Sequence, residues 1–116
     1  MISKELLSEV LGFEIDGNIY EQNNEIKYRD LNNSIPFYQS YSISIYELAH
    51  KCKEYIRKLG YQIKITYVEY NGNIFIELVD WRSGEAKIMD GCFKADNEFD
   101  ATIEAAQWVM ENSNEQ

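Results

Sequence analysis

The side chains able to do catalytic chemistry are few and poorly placed to cooperate. His50 is the sole histidine, and the cysteines are Cys52 and Cys92. A histidine that activates a thiol must lie within hydrogen-bond reach of it. On a helix, residues two apart point to nearly opposite sides, so His50 and Cys52 form no nucleophile–base pair. Cys92, in Gly91-Cys92-Phe93, has no identifiable basic partner in the sequence. No glycine-rich phosphate loop, nucleophile elbow or paired zinc-ligand spacing is present. Asp80, Glu85 and Asp90 bracket a turn and offer carboxylates to a cation, but without the spacing of a calcium loop. The expectation is a non-enzymatic chain with no cofactor and no metal. Its cysteines lack any short paired spacing, and Cys52 reads as a buried free thiol of a reducing cytoplasm.

Charge is the sharper pattern. The 116 residues carry a formal net charge of −9. That argues against direct nucleic-acid binding, since phosphate contacts need clustered Lys and Arg. No Lys or Arg follows Lys94, whereas Asp96, Glu98, Asp100, Glu104, Glu111 and Glu115 do. Asp100, Glu104 and Glu111 recur at helical spacing on one side of the last helix, with Gln107 between them. Such a stripe is either a solvated face that maintains solubility or an anionic surface that docks a basic patch, including one evolved to bind nucleic acid. Aromatic residues form a second set. Phe37, Tyr38, Tyr41 and Tyr46 gather around one helix start, where they serve as interface anchors or cover the edge of the core.

The elements that hold these groups are written in the same residues. Ser44-Ile45-Tyr46-Glu47 has the form of a capping box, and Ile43 with Leu48 can form a hydrophobic staple. Ile45, Leu48, Ala49, Cys52, Ile56 and Leu59 then make one apolar helical stripe. Lys51, Lys53, Arg57 and Lys58 suit its C-terminal dipole, and Gly60 is the expected left-handed terminator. Tyr61 to Tyr70 alternates with period two, and Asn71-Gly72 suits a type I′ turn. A two-residue turn predicts Tyr70 opposite Asn73, Tyr67 opposite Ile76 and Ile65 opposite Leu78. Ile63, Ile65, Tyr67, Ile74, Ile76 and Leu78 then share one face. The other face sets Val68 beside Phe75 and Lys64 beside Val79, with Trp81 further along. It is too apolar for open solvent and calls for a covering element or a second chain.

Elsewhere, Ser3 to Leu11 reads as an opening helix ended by Gly12. Strands are expected at Asn18–Gln22 and Glu25–Arg29, turning at Asn23-Asn24, with Asp16-Gly17 as a rival turn. Asp30 to Gln39 is a surface connection containing Pro36. Ser83-Gly84 marks a turn, Ala86 to Met89 a third strand, and Asp90-Gly91 its end. Glu98 to Asn112 is helical, capped by Asp96 or Asn97, and residues 113–116 fray. No secretory or membrane-spanning segment is present. The expected architecture is α+β, one domain over residues 1–116, in the order α-β-β-α-β-β-β-α around a central Asn-Gly hairpin. The two long helices cover the isoleucine face. The opening helix covers the Phe75 face in an α-β-α sandwich, or a homodimer forms through Phe75, Val79 and Trp81.

Glu5-Leu6-Leu7-Ser8-Glu9-Val10-Leu11-Gly12, then Pro36-Phe37-Tyr38-Gln39-Ser40-Tyr41 before a helix, two strands, and Ala101-Thr102-Ile103-Glu104-Ala105-Ala106-Gln107-Trp108-Val109 form an ordered set. In this order the chain resembles the small phage and prophage proteins with a phage α-β-α sandwich domain. The resemblance supplies no catalytic residues. It implies a phage-type accessory protein acting in the cytoplasm of a host cell. The expected partner is a host protein with a basic surface, such as a defence or DNA-handling factor. Asp100, Glu104 and Glu111 would supply charge, with Phe75 and Trp81, or Tyr38 and Tyr41, as the apolar anchor. A small-ligand-binding domain, with a pocket between sheet and first helix, is a further class.

Overall fold

Serine and glycine set the helix ends. The Ser3 hydroxyl accepts a hydrogen bond from the Leu6 amide at 3.1 Å and starts α1 (Lys4–Leu11); Gly12, at φ 85°, stops it. Ser44 does the same for α2 (Ile45–Lys58), accepting from the Glu47 amide at 3.1 Å. Gly60, at φ 98°, turns the chain out of that helix. The Asn97 side chain accepts from the Asp100 amide at 2.8 Å and caps α3 (Glu98–Ser113), which decides between the two cap candidates.

The computed structural model describes residues 2–15, 19–29, 41–68, 72–83, 87–88 and 93–113. Its strands are β1 (Tyr20–Gln22), β2 (Glu25–Tyr28), β3 (Tyr41–Ser44), β4 (Tyr61–Val68), β5 (Asn73–Asp80), β6 (Lys87–Ile88) and β7 (Phe93–Ala95). The fold is α+β, with two antiparallel sheets. β1, β2 and β3 form the smaller sheet. Asn23 and Asn24, at φ 54° and 61°, make the tight reversal that pairs Gln22 with Glu25, as a type I′ turn requires. The rival Asp16-Gly17 turn lies outside the described residues. β3, unforeseen in the sequence, pairs with β2 and runs directly into α2, whose Ile45 amide donates to the Asn24 carbonyl.

The central hairpin departs from the expected register by two residues. Val68 pairs with Asn73, Tyr67 with Ile74, Ile65 with Ile76 and Ile63 with Leu78. Four residues rather than two therefore separate the strands, and Asn71 lies outside the described set. A slip of two leaves every side chain on its original face, so Ile63, Ile65, Tyr67, Ile74, Ile76 and Leu78 still share one side. What the slip changes is the pairs. Lys64 now stands opposite Glu77 and Thr66 opposite Phe75, where the two-residue turn would have set Lys64 against Val79. Opposite charges and aromatic–β-branched neighbours across strands are the favourable combinations. On the far edge of β5, β6 pairs with Val79 and Asp80 and β7 with Ile74 to Ile76, so β7 is a second extended piece the sequence did not announce.

α2 lies over β4, and α3 over β5 and β7. Ile76 and Leu78 are buried beneath them, with Ile63 and Ile65 half-buried at the margin. Ile26 and Ile43 from the smaller sheet and Leu6 and Leu7 from α1 complete the core. One expectation fails here: α1 packs on α2 and α3, not on the Phe75 side. Its Ser3 hydroxyl donates to Gln107 Oε1 at 2.8 Å, which ties it to α3. Among the described residues no helix covers the outer sheet face, so they form no α-β-α sandwich about the larger sheet.

Candidate interaction surface

α3 is buried around most of its circumference: Phe99, Ala101, Thr102, Ile103, Ala105, Ala106, Val109 and Met110 are all inside. What remains is one thin solvent strip, and the exposed residues on it are Asp100, Glu104 and Glu111. Gln107, half-buried on the same strip, donates to Glu111 Oε1 at 3.0 Å while its own oxygen takes the Ser3 hydroxyl. Asn97 Nδ2 donates to Asp100 Oδ2 at 2.8 Å. Glu104 stands between them, and with Lys94, Asp96 and Asp100 it lines a shallow depression of about 570 Å³ beside β7. Three carboxylates against the single ammonium of Lys94 leave it acidic in balance, which suits a lysine or arginine side chain entering from another molecule.

The aromatic anchors proposed beside this strip are elsewhere. Phe75 and Trp81 lie on the outer face of the sheet, opposite to the face on which α3 packs. That face is more polar than expected. Gln62, Lys64 and Thr66 are exposed on it, Lys94 Nζ lies 5.9 Å from the centre of the half-buried Phe75 ring, and the Trp81 indole donates to Gln62 at 3.1 Å. Trp81 remains 48% exposed. Tyr41 sits on the smaller sheet, its ring 5.8 Å from that of Tyr28. Tyr38 lies outside the described residues. The acidic strip, the outer-face aromatics and Tyr41 therefore lie on different elements, with Lys94 of the acidic depression reaching toward Phe75.

A site missed in the sequence joins α2 to the start of α3. The Lys53 ammonium pairs with Glu98 Oε1, and the Tyr67 hydroxyl donates to Glu98 Oε2 at 3.0 Å. The Lys53 hydrogen bond holds the Glu98 carboxyl below the usual glutamate range, outweighing burial and helped by Tyr67. The hydrogen bond that Tyr67 donates to Glu98, with the charge of that carboxylate, raises the Tyr67 phenol above its ordinary value. Beside this triad is a cleft of about 360 Å³ with Ile45, Ala49 and Phe99 on its apolar side and Tyr46, His50, Lys53, Asn97 and Glu98 on its polar side. It lies between α2 and α3, not between sheet and first helix. Lys53 and Glu98 look like ordinary surface residues and Tyr67 like a member of the isoleucine face, yet Tyr67 is 60% exposed, and with all three far apart in sequence no local signal unites them.

His50 is exposed and pairs with Glu54 at 2.9 Å. Cys52 is buried, and burial pushes its thiol up to about 12, far from a reactive thiolate. Among the described residues no group of three His, Cys, Asp or Glu is placed to hold a metal ion, and no helix is long and apolar enough to cross a membrane. No family model, curated protein or solved structure matches this chain.

Proposed function

We propose that this chain is a non-enzymatic binding protein of phage or prophage type. It acts in the host cytoplasm by occupying a basic surface of a host protein, one that belongs to a defence or DNA-handling factor. The observation that supports this reading is the α3 strip. A helix with so little solvent contact fills it with Asp100, Glu104 and Glu111 and no cation. Anionic strips of one sign accelerate encounter with a cationic partner and reject acidic ones. The depression at Asp96, Asp100 and Glu104, acidic in balance despite Lys94 in its lining, gives a basic side chain a place to seat. Phe75 and Trp81 belong to a different face and take no part in this contact.

The test is capture from host lysate with wild-type protein and with Asp100→Asn/Glu104→Lys/Glu111→Lys as parallel baits. A partner held through the strip is lost from the variant and is eluted from wild type by moderate salt. Equal capture by both baits, with equal salt resistance, would reject the strip as the docking surface.

A further inference from the structure

Ile45, Ala49 and Lys53 recur every four residues, so one side of α2 forms a wall of the cleft at the start of α3. At about 360 Å³ the cleft lies at the small end of the range for ligand pockets, and it has their usual make-up of apolar walls with a few convergent polar groups. Ile45, Ala49 and Phe99 are apolar, with Tyr46 beside them. Tyr46 is 73% exposed, and among the described residues no hydrogen bond or ring contact engages it. It offers an open ring against which a flat apolar group can lie.

The polar side is defined by what its groups can still bind. Asn97 is occupied by Asp100 through both its oxygen and its nitrogen, and His50 is occupied by Glu54. Lys53 and Glu98 hold each other but keep free capacity. An ammonium has three N–H donors, and Glu98 takes one from Lys53. A carboxylate accepts about four hydrogen bonds, and Glu98 receives one from Lys53 and one from Tyr67. Side by side, the two therefore present a donor next to an acceptor. Their charges cancel, so an entering anion would oppose Glu98 and an entering cation would oppose Lys53. A neutral group that carries an acceptor beside a donor satisfies both. An amide edge, a carbonyl oxygen next to an N–H, has that form.

The geometry points to a small neutral molecule as the ligand of this cleft, with a flat apolar body and an amide edge. Its carbonyl accepts from Lys53 and its N–H donates to Glu98. Nucleobases and open-chain aryl amides share this chemistry. The inference is independent of what the acidic strip binds, because Asp100 and Glu104 line a different depression.

Benzamide, benzoate and acetophenone have nearly one shape and differ only at the polar edge. Each is titrated into the full chain while backbone amide shifts are read by NMR. Benzamide should move the amides of Ala49, Lys53 and Phe99 with a dissociation constant on the order of 1 mM or tighter. Acetophenone cannot donate to Glu98, and benzoate sets a charge against it, so each should bind roughly tenfold more weakly. Thymidine supplies the second source: binding tighter than benzamide marks a nucleobase site, and weaker binding marks an open-chain amide site. Ala49→Leu should fill the cleft and abolish the shifts. Tyr46→Ala changes an exposed side chain, so it should leave the fold intact and weaken benzamide by roughly three- to tenfold. The proposal is overturned if those three amides do not move, if benzoate or acetophenone binds as well as benzamide, or if Tyr46→Ala binds as wild type does.

Discussion

Replacing Glu98 with glutamine should unfasten three elements at once. Glu98→Gln keeps the side-chain shape but removes the charge that Lys53 of α2 pairs with and that Tyr67 of β4 donates to. The side chains of Lys53 and Glu98 are 20% and 35% exposed, so their pair is worth more than an open surface ion pair yet is still screened; about 1 kcal/mol is reasonable. The loss of a charged acceptor for Tyr67 adds ~0.5 kcal/mol, and the loss of a negative charge in the first turn of α3 adds roughly 0.3 kcal/mol. The total, about 2 kcal/mol, corresponds to a fall of ~8 °C in midpoint for a chain of this size. The effect has a defined pH course. The folded-state pKa of Glu98 lies below its ordinary value of 4.5. Its stabilisation is therefore complete above that value and is lost as pH falls through the depressed folded value. Thermal unfolding followed by circular dichroism should show wild type and Glu98→Gln separated at neutral pH and converging in acid. A double-mutant cycle with Lys53→Met should return a coupling of about 1 kcal/mol. A Glu98→Gln protein that melts with wild type at neutral pH, or strictly additive losses in the cycle, would refute the linkage.

Gly60→Ala should cost about 1–2 kcal/mol in urea titration, because Gly60 sits at φ 98° and an added Cβ would lie 2.8 Å from Arg82 Cγ. Arg82 is not free to yield, being paired with Asp80 at 2.9 Å and stacked over Tyr61. Asn23→Ala and Asn24→Ala should each cost ~1 kcal/mol by the same assay, since both positions hold positive φ that alanine resists, whereas Asn24→Gly should be tolerated. In a Cys92→Ser background, Cys52 should resist a thiol reagent until urea unfolds the chain. Labelling at the rate of a free thiol in native buffer would contradict its burial.

The helices were legible because each begins on a capping side chain, and α1 and α2 are also followed by a glycine with positive φ. Ser44, Gly60 and Gly12 announce their positions through capping chemistry, and the stripe from Leu48 to Ile56 through period alone. The faces of the hairpin were legible for the same reason, since alternation assigns a side to every residue. Its register was not. A shift of two preserves that alternation, so the choice fell to cross-strand pairs such as Lys64 with Glu77, which the turn motif outvoted in the sequence. β3 and β7 are short, and they exist because β2 and β5 offer them partners, not because their own residues demand extension. Of the candidate site, the acidic spacing on α3 was readable, but its distance from Phe75 and Trp81 was not. Which face a helix packs against is a tertiary fact.

The acidic strip imposes little strain on the helix that carries it, and that makes its role measurable. Only Asp100 and Glu104 are a close like-charged pair, worth roughly 0.2–0.5 kcal/mol of repulsion. Asp100 sits in the capped first turn, where the helix dipole offsets part of that repulsion. Glu104 and Glu111 are two turns apart, on the order of 10 Å and about one screening length at physiological salt. Gln107 further anchors Glu111. Reversing Glu104 and Glu111 and neutralising Asp100 should thus move stability by less than about 1 kcal/mol. Any loss of partner in that variant reads recognition and not unfolding. It should fall mainly on the association rate, steeply at low salt, because charge of one sign acts before contact. A loss confined to the dissociation rate and indifferent to salt would mean that apolar contacts hold the partner.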